Sequence, residues 1–312
     1  MYRDGCVNTS VQQSPGLFGI INRYLGMIKF AHTIFALPLA GIAFLQALPH
    51  TDLFIDGVPQ TRFYILLLQV LICMVSLRSA AMGFNRLVDR HIDARNPRTA
   101  AREIPSGTIS VRAAWTFVIL FLLIFVATAY SINWMCAVLA PVAVALVLSY
   151  SYTKRFTFLC HYVLGMAIGL APTGAWIALL ERFDLLPLLW SGGLLFYIAG
   201  FDILYSCQDR DFDFSAGLHS IPVRFGIRPA LWIARCSHLV ALGFFSYAGW
   251  ISSTGPIFYV ALAIVAVLFF LEHYLVRPSR LEHIPIAFFH INASISTILF
   301  AGILLDVLIQ SI

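Results

Sequence analysis

The chain has 312 residues, of which 60% are hydrophobic and only 11% are charged, and its formal net charge is +5. A soluble domain would carry roughly a quarter charged residues, so this composition excludes a soluble globular protein. The basic excess does not indicate nucleic-acid binding, because most Lys and Arg residues stand at the ends of apolar runs, as the positive-inside rule expects.

Residues 1–20 are predicted to form a flexible tail, and 21–312 a single transmembrane domain. Nine apolar runs in that domain are each long enough to cross a hydrocarbon core of roughly 30 Å. The predicted helices are Leu25–Leu48, Phe63–Phe84, Val111–Tyr130, Trp134–Tyr152, Leu159–Leu180, Leu186–Ser206, Ala230–Trp250, Pro256–Val276 and Ile284–Leu308. The expected fold is therefore all-α: a polytopic membrane helix bundle of about nine helices around a central cavity that opens to the cytoplasmic side.

The loops between the predicted helices alternate in charge. Those after the second, fourth, sixth and eighth helices hold most of the Lys and Arg residues, whereas the other loops hold only Arg62 and Arg182. This asymmetry predicts a multi-pass protein of a bacterial cytoplasmic (inner) membrane, with the N-terminus and the basic loops in the cytoplasm. Two of the basic loops, 85–110 and 207–228, are long, and each ends near an Ile-Pro dipeptide. We interpret them as a weak internal repeat that forms a polar cap.

The first of these loops begins with acids at helical spacing. Asp89 and Asp93 are four residues apart, so on a helix they share one face, and Asn85 lies one turn earlier on that face. A single pair of acids at this spacing would ordinarily be interpreted as solvated residues at a helix end or as ion-pair partners of nearby arginines.

A second acidic stripe marks the end of the sixth predicted helix. Asp202, Tyr205, Asp209 and Asp213 follow one another at spacings of three and four, whereas Asp211 falls off the stripe. Asp202 lies within an apolar segment, and acids inside a membrane span are costly and usually functional. Two matched stripes at membrane helix ends favour a shared site.

The two stripes point to a metal and a phosphate. Carboxylates without His or Cys ligands suit Mg²⁺, which binds through carboxylates together with substrate phosphates. The neighbouring bases would hold phosphate oxygens, and they are Arg98, Arg102, Lys154 and Arg224. Acids and bases in one mouth predict a site for Mg²⁺ and a diphosphate leaving group.

These segments together resemble one family. Asn85 to Asp93 resembles the first aspartate motif of the UbiA superfamily of intramembrane prenyltransferases, and Asp202 to Asp213 resembles the second. Four further segments also match the family in order: Lys29 to Pro38, Arg98 to Gly107, Tyr150 to Arg155 and His219 to Gly226. The chain is most similar to the 4-hydroxybenzoate polyprenyltransferases. It departs from many members at Arg86, where an acid is usual.

The resemblance implies an Mg²⁺-dependent transfer of a polyprenyl group from a polyprenyl diphosphate to the ring of an aromatic acid, most simply 4-hydroxybenzoate, in ubiquinone or menaquinone biosynthesis. It assigns Mg²⁺ to Asn85, Asp89, Asp93, Asp209 and Asp213. Asp202 would steady the allylic cation or help to remove a proton, and Tyr205 would contact a substrate. Lys29 and Arg23 are the candidate partners of the acceptor carboxylate.

Several alternatives stay open from the residues. The acceptor could be 1,4-dihydroxy-6-naphthoate of the futalosine route to menaquinone, and haem or tocopherol-type prenylation are further members of the same class. From other classes, a transporter with an acidic ion path or a non-catalytic scaffold would also place acids in a membrane. The partners expected are the two substrates and the lipid bilayer, with neither a nucleic acid nor a known protein partner. Nothing in the residues indicates the prenyl length.

Overall fold

The computed structural model describes residues 16–29, 36–278 and 291–310. Eight helices of this part are long and apolar enough to cross a membrane, and Leu37–His50 is a shorter apolar segment. The helices are α1 (Leu17–Met27), α2 (Leu37–Ala47), α3 (Thr61–Val88), α4 (Arg90–Asp93), α5 (Val111–Ile132), α6 (Trp134–Thr153), α7 (Cys160–Leu180), α8 (Leu185–Ser206), α9 (Arg210–Ser215), α10 (Ile221–Phe225), α11 (Ile227–Ile251), α12 (Pro256–Leu275) and α13 (Asn292–Gln310). Between α2 and α3 lies a β-hairpin of two antiparallel two-residue strands, Phe54–Ile55 and Val58–Pro59.

The all-α membrane fold is confirmed, and seven of the predicted helices, from the second to the eighth, agree with α3, α5–α8, α11 and α12 to within a few residues. The first predicted helix, Leu25–Leu48, is wrong as one continuous helix. Its sequence is divided between α1 and α2, because α1 ends at Met27 and Lys29 takes a left-handed φ of 47°. Hydropathy alone did not reveal this break, since both sides of it are apolar.

Three predictions fall partly on residues that the structure does not describe. Outside the described part lie most of the N-terminal tail, residues 30–35 of the family match from Lys29 to Pro38, and the first residues of the ninth predicted helix. Within it, the tail prediction extends too far, because α1 already begins at Leu17. The ninth helix is described from Asn292 onward as α13.

The two acid-bearing helices end in the same way. α3 stops at Val88, Asp89 has φ −90° and ψ 2°, and the short helix α4 follows. α8 runs into a 3₁₀ turn, Asp209 has φ −94° and ψ 0°, and α9 follows. Both aspartates therefore occupy the bridge region between two helical segments, which is a common place for active-site residues. This matched break supports the internal repeat proposed from the sequence.

Close packing of α7 on α8 sets the frame of the site. A Cβ at Gly165 would overlap the carbonyl oxygen of Leu195, and one at Gly169 would lie 2.9 Å from the carbonyl oxygen of Ser191. Small residues let two membrane helices approach in this way. Across the same interface Thr173 Oγ1 and Ser191 Oγ are 2.7 Å apart, a kind of contact that contributes about 0.6 kcal/mol on average within membranes.

Candidate active site

A polar cavity of about 540 Å³ lies where the two acid-bearing breaks face each other. Its basic lining residues are Lys29, Arg78, Arg86, Arg98, Arg102, Lys154 and Arg155. Its acidic lining residues are Asp89, Asp93, Glu103, Asp202, Asp209 and Asp213. Acids and bases are therefore present in nearly equal number, and the cavity as a whole is close to neutral.

Four aspartates of the cavity each form an ion pair with a base. The pairs are Asp89 with Arg155 (3.0 Å), Asp93 with Arg102 (2.7 Å), Asp209 with Arg98 (2.6 Å) and Asp213 with Lys154 (3.3 Å). Without a ligand, the predicted metal ligands and the predicted phosphate ligands thus neutralise one another. The pairs also join the first long loop to the second, because Arg98 reaches Asp209 across the cavity.

Arg98 makes the most extensive of these contacts. Its Nε and Nη2 donate to the two carboxylate oxygens of Asp209 at 2.8 Å and 2.6 Å, and its Nη1 donates to Tyr205 Oη at 2.9 Å. Asn96 Nδ2 reaches the same carboxylate at 3.5 Å. The flat guanidinium with its fixed fork of donors suits this bidentate contact, and the same geometry would suit a phosphate.

Asp93 carries the observation that best fits binding of a cation. Its side chain is buried, Oδ1 accepts from Arg102, and Oδ2 has no hydrogen-bond partner among the described residues. A buried carboxylate oxygen without a donor costs free energy unless a cation reaches it. No three acidic, His or Cys side chains of the described ranges stand close enough to hold a metal by themselves. The oxygen-only donor set and the orphaned oxygen therefore fit Mg²⁺ together with a substrate oxygen.

Two titratable groups of the loops are shifted by their surroundings. Burial raises the pKa of Asp89 above its ordinary value, although the hydrogen bond from Arg155 opposes that effect. Burial would lower the pKa of Lys154, but the nearby carboxylate of Asp213 outweighs it and raises the pKa. Lys154 therefore stays charged at any physiological pH, which is compatible with its predicted role as a phosphate ligand.

Asp202 occupies the cavity wall one turn before Tyr205. Its Oδ2 lies 2.7 Å from His161 Nδ1, and its side chain is 23% exposed, whereas the imidazole is completely buried. Asp202 is therefore held from behind by α7. Unlike the other four aspartates, Asp202 forms no ion pair with a Lys or Arg of the described residues.

An apolar cavity of about 220 Å³ adjoins the polar one. Five residues line both: Arg78, Met82, Tyr150, Leu164 and Ile168. Beyond them its wall is built mainly from small and aliphatic side chains of α3, α5, α6 and α7, including Ala81, Ala143, Ala171 and Ala175. A ligand with a charged head and a hydrocarbon tail could extend from one cavity into the other.

The structure brings most of the predicted site residues together. Those lining the polar cavity are Lys29, Asn85, Asp89, Asp93, Arg98, Arg102, Lys154, Asp202, Tyr205, Asp209 and Asp213. Two predicted residues are not there. Arg224 is exposed on α10, whose buried side is taken by Ile221 and Pro222, and Arg23 is exposed on α1. Their roles as phosphate and acceptor ligands do not fit these positions.

Three partners of the predicted aspartates were not predicted from the sequence. Arg155 pairs with Asp89, Asn96 contacts Asp209, and His161 contacts Asp202. Arg155 directly follows the predicted ligand Lys154, so a broader reading of that basic pair would have found it. His161 lies in an apolar segment with no local signal, because its partner is 41 residues away.

The fold and the cavity define a polytopic helical membrane protein with a paired acid–base site at one end. The sequence model of the UbiA prenyltransferase family matches residues 35–294. The chain therefore belongs to the UbiA prenyltransferase family.

Individual relatives agree with this assignment. The 4-hydroxybenzoate octaprenyltransferase of Yersinia pseudotuberculosis is 29% identical over 250 residues, which cover 80% of this chain and 85% of that protein. The apo structure of a UbiA homologue from Aeropyrum pernix K1 is 31% identical, with a TM-score of 0.77, and covers 88% of this chain and 98% of that one. A UbiA homologue from Archaeoglobus fulgidus bound to GPP and Mg²⁺ shares the fold, at 21% identity and a TM-score of 0.64 over 90% of this chain and 99% of that one.

Proposed function

We propose that this protein transfers a polyprenyl group from a polyprenyl diphosphate to the ring of an aromatic acid, most simply 4-hydroxybenzoate, as a step of quinone biosynthesis. The observation that carries the proposal is the junction of the two cavities, where a mouth lined by acids and bases continues into an apolar chamber. A polyprenyl diphosphate has the same two parts in the same order. The name of the Yersinia relative supports the aromatic acceptor.

The diphosphate end would be held by residues of both loops. Asn85, Asp89, Asp93, Asp209 and Asp213 would bind Mg²⁺, which when bound stabilises the negative charge on a departing diphosphate. The bases that pair with these carboxylates would exchange them for the phosphate oxygens. These bases are Arg98, Arg102, Lys154 and Arg155. The Archaeoglobus relative, solved with GPP and Mg²⁺, supports this part of the proposal.

The hydrocarbon end would lie in the apolar cavity. Its alanine-rich wall leaves room for a chain and has few polar atoms that the tail would leave unsatisfied. A tail longer than the cavity can pass between helices into the bilayer, where hydrocarbon is at no disadvantage. A membrane-embedded fold is therefore suited to this substrate.

The reaction would take place between these two ends. The bond between the allylic carbon and the diphosphate oxygen breaks, the ring carbon next to the acceptor hydroxyl forms the new bond, and that carbon loses its proton. Asp202 lies in the cavity wall, where its carboxylate would steady the allylic cation or accept the proton. Three bases line the cavity outside the four aspartate pairs: Lys29, Arg78 and Arg86. Arg86 is buried and donates to the carbonyl oxygen of Met27, and either Lys29 or Arg78 could hold the acceptor carboxylate.

The polar cavity would face the cytoplasm of a bacterium, with the chain in its cytoplasmic membrane, because the basic loops lie at that end. Cysteine labelling in intact cells tests this orientation. Single cysteines placed at Ser215, near the polar cavity, and at Phe183, at the opposite ends of the helices, should differ in reaction with an impermeant maleimide. Labelling of position 215 alone from outside would reverse the assignment.

Prenyl transfer in isolated membranes tests the function directly. Membranes that contain this chain would receive a polyprenyl diphosphate and radiolabelled 4-hydroxybenzoate or 1,4-dihydroxy-6-naphthoate, with Mg²⁺ or with EDTA. A lipid-soluble product that depends on Mg²⁺ is expected, and the acceptor that reacts identifies the quinone route. If a correctly inserted protein prenylates neither acceptor, the proposed function is wrong, and other acceptors and then ion transport become the readings to test.

A further inference from the structure

His161 is a buried imidazole with a partner on each ring nitrogen. It lies in the first turn of α7 with no exposed surface. Nδ1 is 2.7 Å from Asp202 Oδ2, and the backbone N–H of Ile221 donates to Nε2 at 3.3 Å. Because Nε2 accepts that hydrogen bond, the proton on Nδ1 is the one that is donated to Asp202. The two bonds therefore define one tautomer and one direction of donation.

The first bond reaches the active site from outside the cavity. His161 does not line the cavity, whereas Asp202 does. A ring nitrogen that donates to a carboxylate holds that carboxylate in one orientation. Metal ligands and catalytic side chains are commonly oriented in this way by a hydrogen bond from a neighbouring residue. Asp202 has no Lys or Arg ion-pair partner in the described part of the chain, so the imidazole is the group that determines its direction.

The second bond ties the same imidazole to the start of α10, three residues after Leu218, which lines the cavity. Ile221 is the first residue of α10, and the preceding Ser220 is fully buried and caps that helix by accepting from the Val223 N–H. One residue earlier, the His219 N–H donates to the carbonyl oxygen of Lys154 at 2.6 Å. Segment 219–221 is thus hydrogen-bonded both to Lys154 and to His161.

We propose that His161 is the positioning residue for Asp202: it holds this carboxylate in the orientation that the prenyl transfer needs. The inference rests on the proposed function and deepens it, because it adds a residue that touches neither substrate nor reacting atoms. A merely structural histidine would act through its bond to α10 instead. The two roles can be separated because they use different ring nitrogens.

Two variants of equal size separate these roles. In His161→Asn the amide nitrogen lies close to the position of Nδ1 and can still donate to Asp202, but nothing reaches the Ile221 N–H. In His161→Leu, which has nearly the same shape, both bonds are lost. We expect His161→Asn to keep kcat within a factor of about three. Loss of a supporting hydrogen bond typically costs about 10- to 100-fold, so His161→Leu should lose that much kcat with an unchanged KM for the polyprenyl diphosphate.

An additional substitution tests whether His161 acts through Asp202. In an Asp202→Asn background, His161→Leu should cause little further loss, because the group that it positions is already changed. Equal losses in His161→Asn and His161→Leu, a raised KM in both, or full additivity with Asp202→Asn would overturn the proposal and assign His161 to the structure of α10.

A spectroscopic measurement is independent of turnover. With ¹⁵N-labelled histidine in nanodiscs, the His161 signal, identified by its absence in His161→Asn, should show the proton on Nδ1 and should shift in Asp202→Asn. A proton on Nε2, or a signal that ignores Asp202→Asn, would refute the contact itself. If the wild-type protein prenylates neither acceptor while this signal behaves as expected, the proposed function fails and the positioning contact stands.

Discussion

At the scale of single residues, the cavity holds its charges in pairs. Asp89, Asp93, Asp209 and Asp213 each contact one base at 2.6–3.3 Å. Exposed ion pairs contribute little to stability, and breaking a buried pair is costly chiefly because a charge is left alone. Four such pairs around one cavity are therefore better explained as groups that would bind a ligand than as groups that stabilise the fold. Substitutions that leave the fold intact should then act on binding and turnover.

Asp89 provides the simplest test of the proposed metal ligands. Asp89→Asn removes a carboxylate that Asn85 and Arg155 contact, and we expect it to abolish prenyl transfer without loss of membrane insertion. The matched control is Asp211→Asn, because the Asp211 side chain is 94% exposed. Transfer assays and protein quantification in the same membranes check this. Normal turnover in Asp89→Asn would exclude the residue from the site.

Arg98 tests whether a planar fork of donors is required. Arg98→Lys keeps the charge but loses the two-bond contact with Asp209 and the bond to Tyr205. We expect kcat/KM for the polyprenyl diphosphate to fall about tenfold, which corresponds to about 1.4 kcal/mol of transition-state stabilisation. Arg112→Lys, at an exposed position at the start of α5, is the control. Equal kinetics for both variants would argue that only charge matters at position 98.

At the scale of elements, the contact between α7 and α8 positions both halves of the Asp202 site. α7 carries His161 and α8 carries Asp202, and the two helices pack closely at Gly165 and Gly169. Interiors this tightly packed transmit a local displacement instead of absorbing it. The separation of the helices at these glycines therefore sets the alignment of His161, one turn before Gly165 on α7, with Asp202 on α8.

Gly165→Ala should disturb this interface. Its Cβ would overlap the carbonyl oxygen of Leu195, and overpacking of this kind typically costs about 1–3 kcal/mol. Gly174→Ala on the same helix is the control, because no atom lies within 4 Å of its added Cβ, and alanine favours a helix. Thermal unfolding in detergent should show a lower Tm for Gly165→Ala and an equal or higher Tm for Gly174→Ala. The same Tm for both variants would mean that the helices can separate at Gly165 without cost.

At the scale of the whole molecule, the near balance of acids and bases in the polar cavity predicts how it binds charged ligands. A bare cation or a bare diphosphate would each have to break ion pairs and leave unmatched charges behind. When a cation and a diphosphate bind together, the acids can bind the cation and the bases can bind the diphosphate, so no charge is left unmatched. The cavity should therefore bind the two jointly, and each should raise the affinity for the other by the same factor.

Binding of Mn²⁺ as a spectroscopic substitute for Mg²⁺ measures this coupling. The purified protein should bind Mn²⁺ weakly alone and about 5- to 150-fold more tightly with pyrophosphate, the range of typical coupling energies. Electron paramagnetic resonance gives free Mn²⁺ directly, and sulfate at equal ionic strength serves as the control anion. An Mn²⁺ affinity that is unchanged by pyrophosphate, after correction for the complex in solution, would contradict joint binding.

The apolar cavity makes a second prediction at this scale. Ala143 lines it on α6, and Ala143→Phe should fill part of it and shift the preferred donor toward shorter prenyl diphosphates. Ala145→Phe places the same ring on the exposed side of the same helix and should leave the preference unchanged. Competition between donors of different length, analysed by product mass, checks this. An unaltered preference in Ala143→Phe would place the prenyl chain elsewhere.

The features that the sequence by itself determined are local or periodic. Apolar runs of membrane length predicted the all-α fold and most helix bounds, because the backbone in lipid must satisfy its hydrogen bonds within helices. Spacings of three and four predicted which acids share a face, since that period belongs to the helix itself. The break between α1 and α2 was missed because the sequence on both sides of it is apolar.

The tertiary structure alone decided which charges meet. Arg98 and Asp209 are 111 residues apart, and His161 and Asp202 are 41 apart, so no local pattern could pair them. Residue spacing also could not show that Arg224 on α10 and Arg23 on α1 are exposed. The spacing within a short helix does not tell which of its faces lies toward the cavity. The physical reason is that a contact between distant residues depends on how helices pack, and packing is set by the whole bundle.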